Sequence, residues 1–183
     1  MPITRFNKDN TALLVIDIQE KLLPAITEHE RVLSNTCKLI EASKLFGPPV
    51  TLTEQYPKGL GHTVSEITSI LPSEVTKFEK LKFSAATDEV LSHLHQINKP
   101  NIILSGIESH ICVLQSALDL ATIGYSVGIP IDAISSCNVI DHEAAISRMR
   151  QNGVTILSTQ MLIMELTGEA GTDTFKSILP LIK

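Results

Sequence analysis

The feature that most constrains the fold is an uninterrupted apolar run, Thr11 to Ile16, which stops at Asp17. A strand with one solvated face alternates apolar and polar residues, whereas a continuous run is typical of a parallel strand that is covered on both faces. Parallel neighbours need long crossover connections, which are usually helices. The run therefore predicts an α/β fold and places an acid at the carboxyl end of a buried strand.

The rest of the chain alternates strand and helix patterns as such a fold requires. Thr27 and Glu30 form a capping-box pattern that predicts the start of the first crossover helix, and Asp141 is predicted to cap a later helix. The pattern predicts a doubly wound, mainly parallel sheet of about six strands in the order 3-2-1-4-5-6, with helices on both faces. The strands predicted after the first are Val50 to Thr53, Val75 to Glu79, Ile102 to Leu104, Tyr125 to Ile131 and Val154 to Leu157.

Length and composition bound the class of protein. The 183 residues, 43% of them hydrophobic, predict a single domain over residues 1–183. A net charge of −5 disfavours nucleic acid as a partner, because phosphate binding needs a basic face and the most basic cluster is Lys77, Lys80 and Lys82. No apolar run approaches the roughly 18 residues of a membrane span. Three cysteines are few and odd in number, which disfavours a disulfide framework and favours a reducing compartment. We therefore expect a cytoplasmic protein without a membrane partner.

The stretch Asn101 to Val113 contains the strongest candidate for a nucleophile. It predicts a buried strand, a tight turn and a helix, with Cys112 in the first turn of that helix. Helix N-termini and nearby cations lower a cysteine pKa from about 8.5 into a range of roughly 3.5 to 7.5. Cys112 is therefore expected to be the most reactive of the three thiols. The alternative is a buried structural cysteine.

The predicted topology brings an acid to this thiol. In a doubly wound sheet, the carboxyl ends of the first and fourth strands flank the crevice in which ligands bind, and these ends carry Asp17 and Cys112. A lysine near the end of the short third strand is a candidate cation, although alternation leaves both Lys80 and Lys82 on the same face. His110 lies two residues before Cys112 and is an alternative imidazole base.

Four motifs occur in order along nearly the whole chain. They are LLVIDIQEKL in the first strand, K-x-x-F-S from Lys80, GIESHICV around Cys112, and DA-x-SS from Asp132. Together they resemble the isochorismatase-like, or cysteine hydrolase, family, whose members include nicotinamidases and other amidohydrolases. TEQYPKGLG and IESHICVLQSALDL are most similar to the branch of small single-domain members.

The resemblance implies roles for particular residues. Asp17 would be the base, Cys112 the nucleophile, and Lys80 a positioning or charge-stabilising residue. The resemblance also selects Lys80 over Lys82, because the active lysine of the family precedes an aromatic-Ser pair by three residues, as Lys80 precedes Phe83.

The resemblance further implies how the substrate would be held. The peptide bond between Ile107 and Glu108 would be cis, and the backbone N–H groups of Glu108 and Cys112 would form the oxyanion hole. The substrate would be a small molecule. The residues predicted to contact it are Gln55, Tyr56, Phe83 and Ile107.

The implied reaction is hydrolysis of a small amide or related acyl compound through a thioester, without a cofactor. Nicotinamidases carry Asp-x-His and a further His as a metal site on the loop after the second strand. Here that loop reads TEQYPKGLGH, so no metal site is predicted, and whether His62 contributes to the active site is left open.

The alternative is a catalytically idle oligomeric or ligand-binding protein that retains the fold. In either case we expect a homo-oligomer, a dimer, a tetramer or larger. The reasons are the resemblance and an apolar C-terminal stretch that is expected to have few partners in a compact monomer: Ile178, Leu179, Leu181 and Ile182.

Overall fold

A parallel sheet of seven strands forms the centre of the computed structural model, which describes residues 4–182. The strands follow the order β3-β2-β1-β4-β5-β7, and β6 pairs with β4. The predicted order is confirmed, with β7 in the sixth place, whereas the two-residue β6 was not predicted. The strands are β1 Thr11–Ile16, β2 Val50–Gln55, β3 Thr76–Lys80, β4 Asn101–Ile107, β5 Ser126–Pro130, β6 Ile134–Ser135 and β7 Thr155–Leu157.

Helices connect the strands and cover both faces of the sheet. A π-helical turn at Ser109–Val113 and 3-10 segments at Leu23–Ala25 and Ile131–Ala133 complete the connections. Within residues 4–182, no helix is both long and apolar enough to cross a membrane. The helices are α1 His29–Phe46, α2 Pro57–Leu60, α3 Ser65–Thr68, α4 Asp88–Ile97, α5 Leu114–Thr122, α6 Val139–Gln151, α7 Thr159–Thr167 and α8 Asp173–Ile182.

The apolar run of β1 is divided between two cores, one on each face of the sheet. Leu13 and Val15 belong to the cluster covered by α1, α7 and α8. Leu14 and Ile16 belong to the cluster covered by α4, α5 and α6. Because successive side chains of a strand point to opposite faces, a strand that contributes to two cores must be apolar at every position.

Two helix starts differ from the predictions. The residue that precedes α1 is Glu28, which has a left-handed backbone and makes no side-chain cap, while the Thr27 hydroxyl donates to the carbonyl of Cys137. The cap of α6 is Asn138, which accepts a hydrogen bond from the N–H of Ile140, and Asp141 lies within the first turn. Both caps had plausible local sequence patterns, but the chain enters each helix at a different residue.

A glycine allows β1 and β4 to approach closely near the site. Gly106 has a φ of +125°, and a Cβ added to it would lie 2.0 Å from the carbonyl oxygen of Ile16. Any side chain at this position would collide with the backbone of β1 and would also require an unfavourable φ. The close approach holds Asp17 beside the turn that follows β4.

The apolar C-terminal stretch has partners within the same chain. Ile178 is completely buried, and Leu181 and Ile182 pack against the cluster that contains α1. The expectation that this stretch has few partners in a monomer is therefore wrong for these three residues.

Candidate active site

Asp17 lies directly after β1 as a fully buried carboxylate with a left-handed backbone, φ 54°. The Thr53 hydroxyl donates to its Oδ1 at 2.7 Å, and Lys80 Nζ donates to its Oδ2 at 2.6 Å. Residues other than glycine seldom adopt this backbone conformation, and such residues cluster at functional sites. The carboxylate is thus held on both oxygens.

Lys80 ends β3 and is 4% exposed. Besides Asp17, its Nζ lies 2.8 Å from Gln55 Oε1, 3.0 Å from the carbonyl of Phe83 and 3.3 Å from that of Lys82. An ammonium group has three N–H donors, so four surrounding acceptors occupy it fully. Lys80 is therefore a fixed positive charge beside Asp17, whereas the side chain of Lys82 is exposed.

Cys112 lies in the π-helical turn that follows β4 and is 6% exposed. The peptide bond between Ile107 and Glu108 is cis, as the resemblance implied. The Glu108 carbonyl accepts hydrogen bonds from the N–H groups of Ile111, at 3.1 Å, and Val113, at 3.2 Å. Neither bond uses the N–H of Cys112, which lies between these two donors in the sequence.

The electrostatic environment of Cys112 is opposite to the prediction. Burial and the neighbouring negative charge of Asp17 raise the pKa of the thiol to about 12, and the positive charge of Lys80 offsets this only in part. The predicted lowering of the pKa is wrong because desolvation and an adjacent carboxylate outweigh the helix N-terminus. Cys112 is therefore a neutral thiol hydrogen-bonded beside a carboxylate.

The loop after β2 is fixed by a second buried carboxylate, Glu54. Its Oε1 accepts hydrogen bonds from the N–H and the hydroxyl of Thr63, each at 2.7 Å, and from Lys77 at 3.2 Å. Its Oε2 contacts His62 Nδ1 at 3.1 Å. Burial alone would raise the pKa of Glu54, but these hydrogen bonds lower it to about 2. His62, whose role the sequence left open, is thus bound to Glu54.

Gln19 ties the same loop to the segment that follows β1. Its buried amide donates to the carbonyls of Gln55, at 3.0 Å, and Gly61, at 2.7 Å, and accepts from the N–H of Gln55 at 2.7 Å. The backbone N–H groups of Glu20 and Lys21 also donate to loop carbonyls. The second half of the loop of residues 56–63 is therefore attached to residues 19–21, as is Gln55 immediately before the loop.

A cavity of about 280 Å³ opens beside Lys80 at this end of the sheet. Tyr56, one of the residues predicted to contact substrate, lines it and is 51% exposed, and Phe83 is 54% exposed. Neither Asp17 nor Cys112 lines the cavity. Its lining residues are Tyr56, Pro57, Lys58, Glu79, Lys80 and Leu81.

The other two residues predicted to contact substrate have different surroundings. Gln55 accepts from Lys80 through Oε1 and donates through Nε2 to the carbonyl of Leu81 at 2.9 Å. Ile107 is completely buried in the core that α1 covers. A contact between substrate and either residue remains a prediction.

A chain of hydrogen bonds that we did not predict runs behind the Cys112 turn. His142 Nδ1 lies 2.9 Å from Ser109 Oγ, Ser109 Oγ lies 2.5 Å from Ser136 Oγ, and Ser136 Oγ lies 2.9 Å from His110 Nδ1. His110 is thus engaged through Nδ1 by Ser136. The only local signal was the pair of serines in the DA-x-SS motif, which does not identify partners elsewhere in the chain.

Among residues 4–182, no group of three or more His, Cys, Asp or Glu side chains is arranged to hold a metal ion. The described part of the chain contains three free cysteines: Cys37, Cys112 and Cys137.

The sheet and the site define an α/β protein in which a cysteine, an acid and a lysine meet at the carboxyl ends of parallel strands. The sequence matches the family model described as Isochorismatase domain over residues 11–161. The chain therefore belongs to the isochorismatase family and has the hydrolase fold of that family.

Relatives match over most of their length. The chain is 44% identical to Isochorismatase family protein 1A of Dictyostelium discoideum, over 94% of this chain and 86% of that protein. It is 39% identical to the secreted isochorismatase effector Isc1 of Phytophthora sojae, over 95% of this chain and 85% of that protein. The solved structure of MAR1 ribonuclease from Caenorhabditis elegans has a TM-score of 0.94 and 36% identity, covering 98% of this chain and 92% of that one.

Proposed function

We propose that this protein is a cysteine-dependent hydrolase that cleaves a small amide or related acyl compound through a thioester intermediate. The observation that carries the proposal is the neutral Cys112 thiol beside the Asp17 carboxylate, which Lys80 and Thr53 hold in place. A neutral thiol is a weak nucleophile until a base removes its proton, and Asp17 is in contact with it.

In the proposed reaction, Asp17 takes the thiol proton as Cys112 Sγ attacks the carbonyl carbon. The carbonyl π electrons move to oxygen, and the resulting oxyanion is stabilised by the backbone N–H groups of Glu108 and Cys112. The C–N bond then breaks, and the amine leaves with the proton from Asp17. Water attacks the thioester while Asp17 accepts its proton, the C–S bond breaks, and Asp17 returns the proton to the departing sulfur, which releases the acid and restores the thiol.

Lys80 would supply electrostatic stabilisation without transferring a proton. Its positive charge lowers the pKa of the Cys112 thiol and so favours the thiolate that develops during attack. Because its N–H groups are already bound to acceptors, it needs little rearrangement during the reaction. Gln55 would then act through Lys80, whereas the exposed rings of Tyr56 and Phe83 are better placed to contact substrate.

The buried ion pair argues against an idle protein that merely retains the fold. Replacing such a pair with packed apolar residues is often neutral or stabilising by roughly 1–4 kcal/mol, so stability alone does not require Asp17 and Lys80. The proposed hydrolysis uses only water as co-reactant, so the proposal includes neither cofactor nor metal.

A relative is named a ribonuclease, which makes RNA a substrate worth testing. The charge distribution favours a small molecule instead. Of the basic cluster noted in the sequence, Lys80 is buried against Asp17 and Lys77 donates to Glu54. The cluster thus has less free positive charge for phosphates than the sequence suggested.

We further propose a homo-oligomer in a reducing, cytoplasmic setting. Free cysteines are compatible with reducing conditions, although one relative is named as secreted. Support for assembly comes from large apolar side chains that remain exposed beyond the carboxyl ends of β2, β3 and β6: Tyr56, Leu81, Phe83, Val139 and Ile140. A mass equal to one chain by light scattering at micromolar concentration would contradict it.

The deciding experiment is a screen of small amides for ammonia or amine release, with intact-protein mass spectrometry to detect an acyl adduct on Cys112. We expect activity and the adduct in the wild type, neither in Cys112→Ala, and both in Cys137→Ser, which removes an exposed thiol. RNA is assayed with the same proteins. Turnover that survives in Cys112→Ala, on an amide or on RNA, would overturn the proposed mechanism.

A further inference from the structure

Two buried serines link two histidines behind the turn that carries Cys112. Ser109 and Ser136 are completely buried, while His110 and His142 are partly exposed at the two ends of the chain. Among residues 4–182, the hydrogen bonds of both hydroxyls remain within this set, because each contacts the other hydroxyl and one imidazole Nδ1.

The number of protons in this chain is restricted. Three hydrogen bonds need three protons, and the two hydroxyls supply two of them. One imidazole must therefore present Nδ1–H, and the other must present a lone pair at Nδ1. If both rings present Nδ1–H, one buried hydroxyl proton has no acceptor, and if neither does, one contact lacks a proton.

We infer that His110, Ser136, Ser109 and His142 form one relay that holds a single Nδ1 proton, and that this relay positions the turn that carries Cys112. When the Nδ1 of one ring gains a proton, both hydroxyls reverse and the Nδ1 of the other ring loses one; each ring stays neutral because its Nε2 exchanges the compensating proton with solvent. The relay goes beyond the proposed reaction, but its effect on catalysis rests on that proposed function.

The relay connects the nucleophile turn to two other elements. Ser109 and His110 belong to the turn itself, Ser136 directly follows β6, and His142 lies in α6. A second hydrogen bond joins the start of the turn to the segment after β6: Glu108 Oε2 accepts from the N–H of Cys137 at 2.9 Å. Losing one relay contact would therefore loosen the turn without disrupting the sheet.

The surroundings of His142 favour its neutral form. Burial and the positive charge of Arg31 lower the pKa of His142, opposed by Glu143 on the same helix and by Glu28, which precedes α1. Nearest to His110 along the chain is the Glu108 carboxylate, which is bound to the Cys137 N–H. The Nδ1 of a neutral His142 either accepts a hydrogen bond from the Ser109 hydroxyl or donates one to it. The tautomer of His142 therefore shows in which direction the hydroxyls of the relay donate.

The first test uses nitrogen NMR of the histidine rings in the full-length protein and needs no substrate. We expect opposite Nδ1 protonation in His110 and His142, exchanging together as pH is changed. Ser136→Ala should break this correlation, so that His142 changes state without any response from His110. Simultaneous Nδ1–H on both neutral rings, or an unchanged correlation in Ser136→Ala, would overturn the relay.

The second test measures positioning through the alkylation rate of Cys112 and, once a substrate is known, through kcat/KM. We expect Ser136→Ala to lower both by roughly tenfold, the size of effect that small misplacement of a reacting group produces. Ser43→Ala is the matched control, since Ser43 is also buried and donates to the carbonyl of Leu39 in α1. Equal losses in both variants would refute the positioning role.

The two tests separate the relay from the proposed function. If no amide is hydrolysed but the rings exchange protons together, the relay stands and the function falls. If hydrolysis depends on Cys112 but the rings titrate independently, the function stands and the relay falls.

Discussion

Asp17 and Glu54 are two buried carboxylates near the carboxyl ends of neighbouring strands, and each pairs with a lysine of β3. Glu54 accepts four hydrogen bonds, two of them from Thr63 in the loop that it fixes, and its pKa is lowered to about 2. Asp17 accepts from Lys80 and a hydroxyl and also faces a thiol. Glu54 is thus saturated with donors, whereas Asp17 has a neutral thiol beside it, as the proposed role of base requires.

Exchanging each acid for its amide gives the largest contrast. Asp17→Asn should lower kcat/KM by about 10²–10⁴-fold because it removes the proposed base, while asparagine tolerates the left-handed backbone at this position. Glu54→Gln should leave kcat/KM within a few-fold of the wild type. Steady-state kinetics on any amide found to be a substrate measures both, and similar losses would erase the distinction between the two acids.

The two lysines should differ in the same way. Lys80→Ala should lower turnover by roughly 10²-fold and raise the pKa of the Cys112 thiol further, since the charge that opposes Asp17 is lost. Lys77→Ala and the exposed Lys82→Ala should change neither by much. Alkylation rate against pH provides the thiol pKa, with circular dichroism as a check on folding. A larger change in Lys82→Ala would show that the wrong lysine is assigned.

Glu54 should affect stability more than turnover. The pKa of this carboxylate is lower in the folded protein than its unfolded value of 4.5, so its charged form stabilises the fold at pH values above 4.5. This stabilisation is lost as the pH falls towards about 2. Because Lys77 and His62 are substantially exposed, we discount the effect and expect Glu54→Gln to cost about 2 kcal/mol at pH 7. The free energies of unfolding of the wild type and Glu54→Gln, measured in urea, should converge as the pH falls from about 4.5 to 2. A difference independent of pH would exclude this cause.

The smallest expected effect is the absence of a thiolate at neutral pH. With its pKa raised to about 12, Cys112 should add no thiolate absorbance below about pH 10, as judged from the ultraviolet difference between the wild type and Cys112→Ser. Cys137, which is exposed, should therefore be alkylated before Cys112 in the neutral range, the reverse of the order expected from the sequence. A thiolate step near pH 7 would mean that Asp17 does not face a neutral thiol.

Much of the fold could be predicted because it depends on local periodicity. The run Thr11 to Ile16 is apolar at every position since β1 faces two cores, and the apolar run within β4 has the same cause. The meeting of Asp17 and Cys112 followed from strand order alone. The two-residue β6 was missed because so short a strand has no period.

The electrostatics of the site could not be predicted in the same way. The helix N-terminus suggested a low pKa for Cys112, but burial and the charge of Asp17, which depend on distant parts of the chain, have the opposite effect. The hydrogen bonds to Glu54 join residues 8 to 23 positions apart, and those of the histidine–serine relay join residues 26 to 33 positions apart. Such contacts leave no spacing pattern that a single sequence reveals.

The attachment of residues 56–63 to residues 19–21 has a consequence for motion. A loop beside a site often opens independently, but here the amide of Gln19 and the backbone bonds of Glu20 and Lys21 hold it to the segment that begins at Asp17. Opening it would require local unfolding next to the carboxylate, so its amide protons should exchange with solvent together with those of residues 19–21. We therefore expect this loop to move together with residues 19–21 rather than to open on its own.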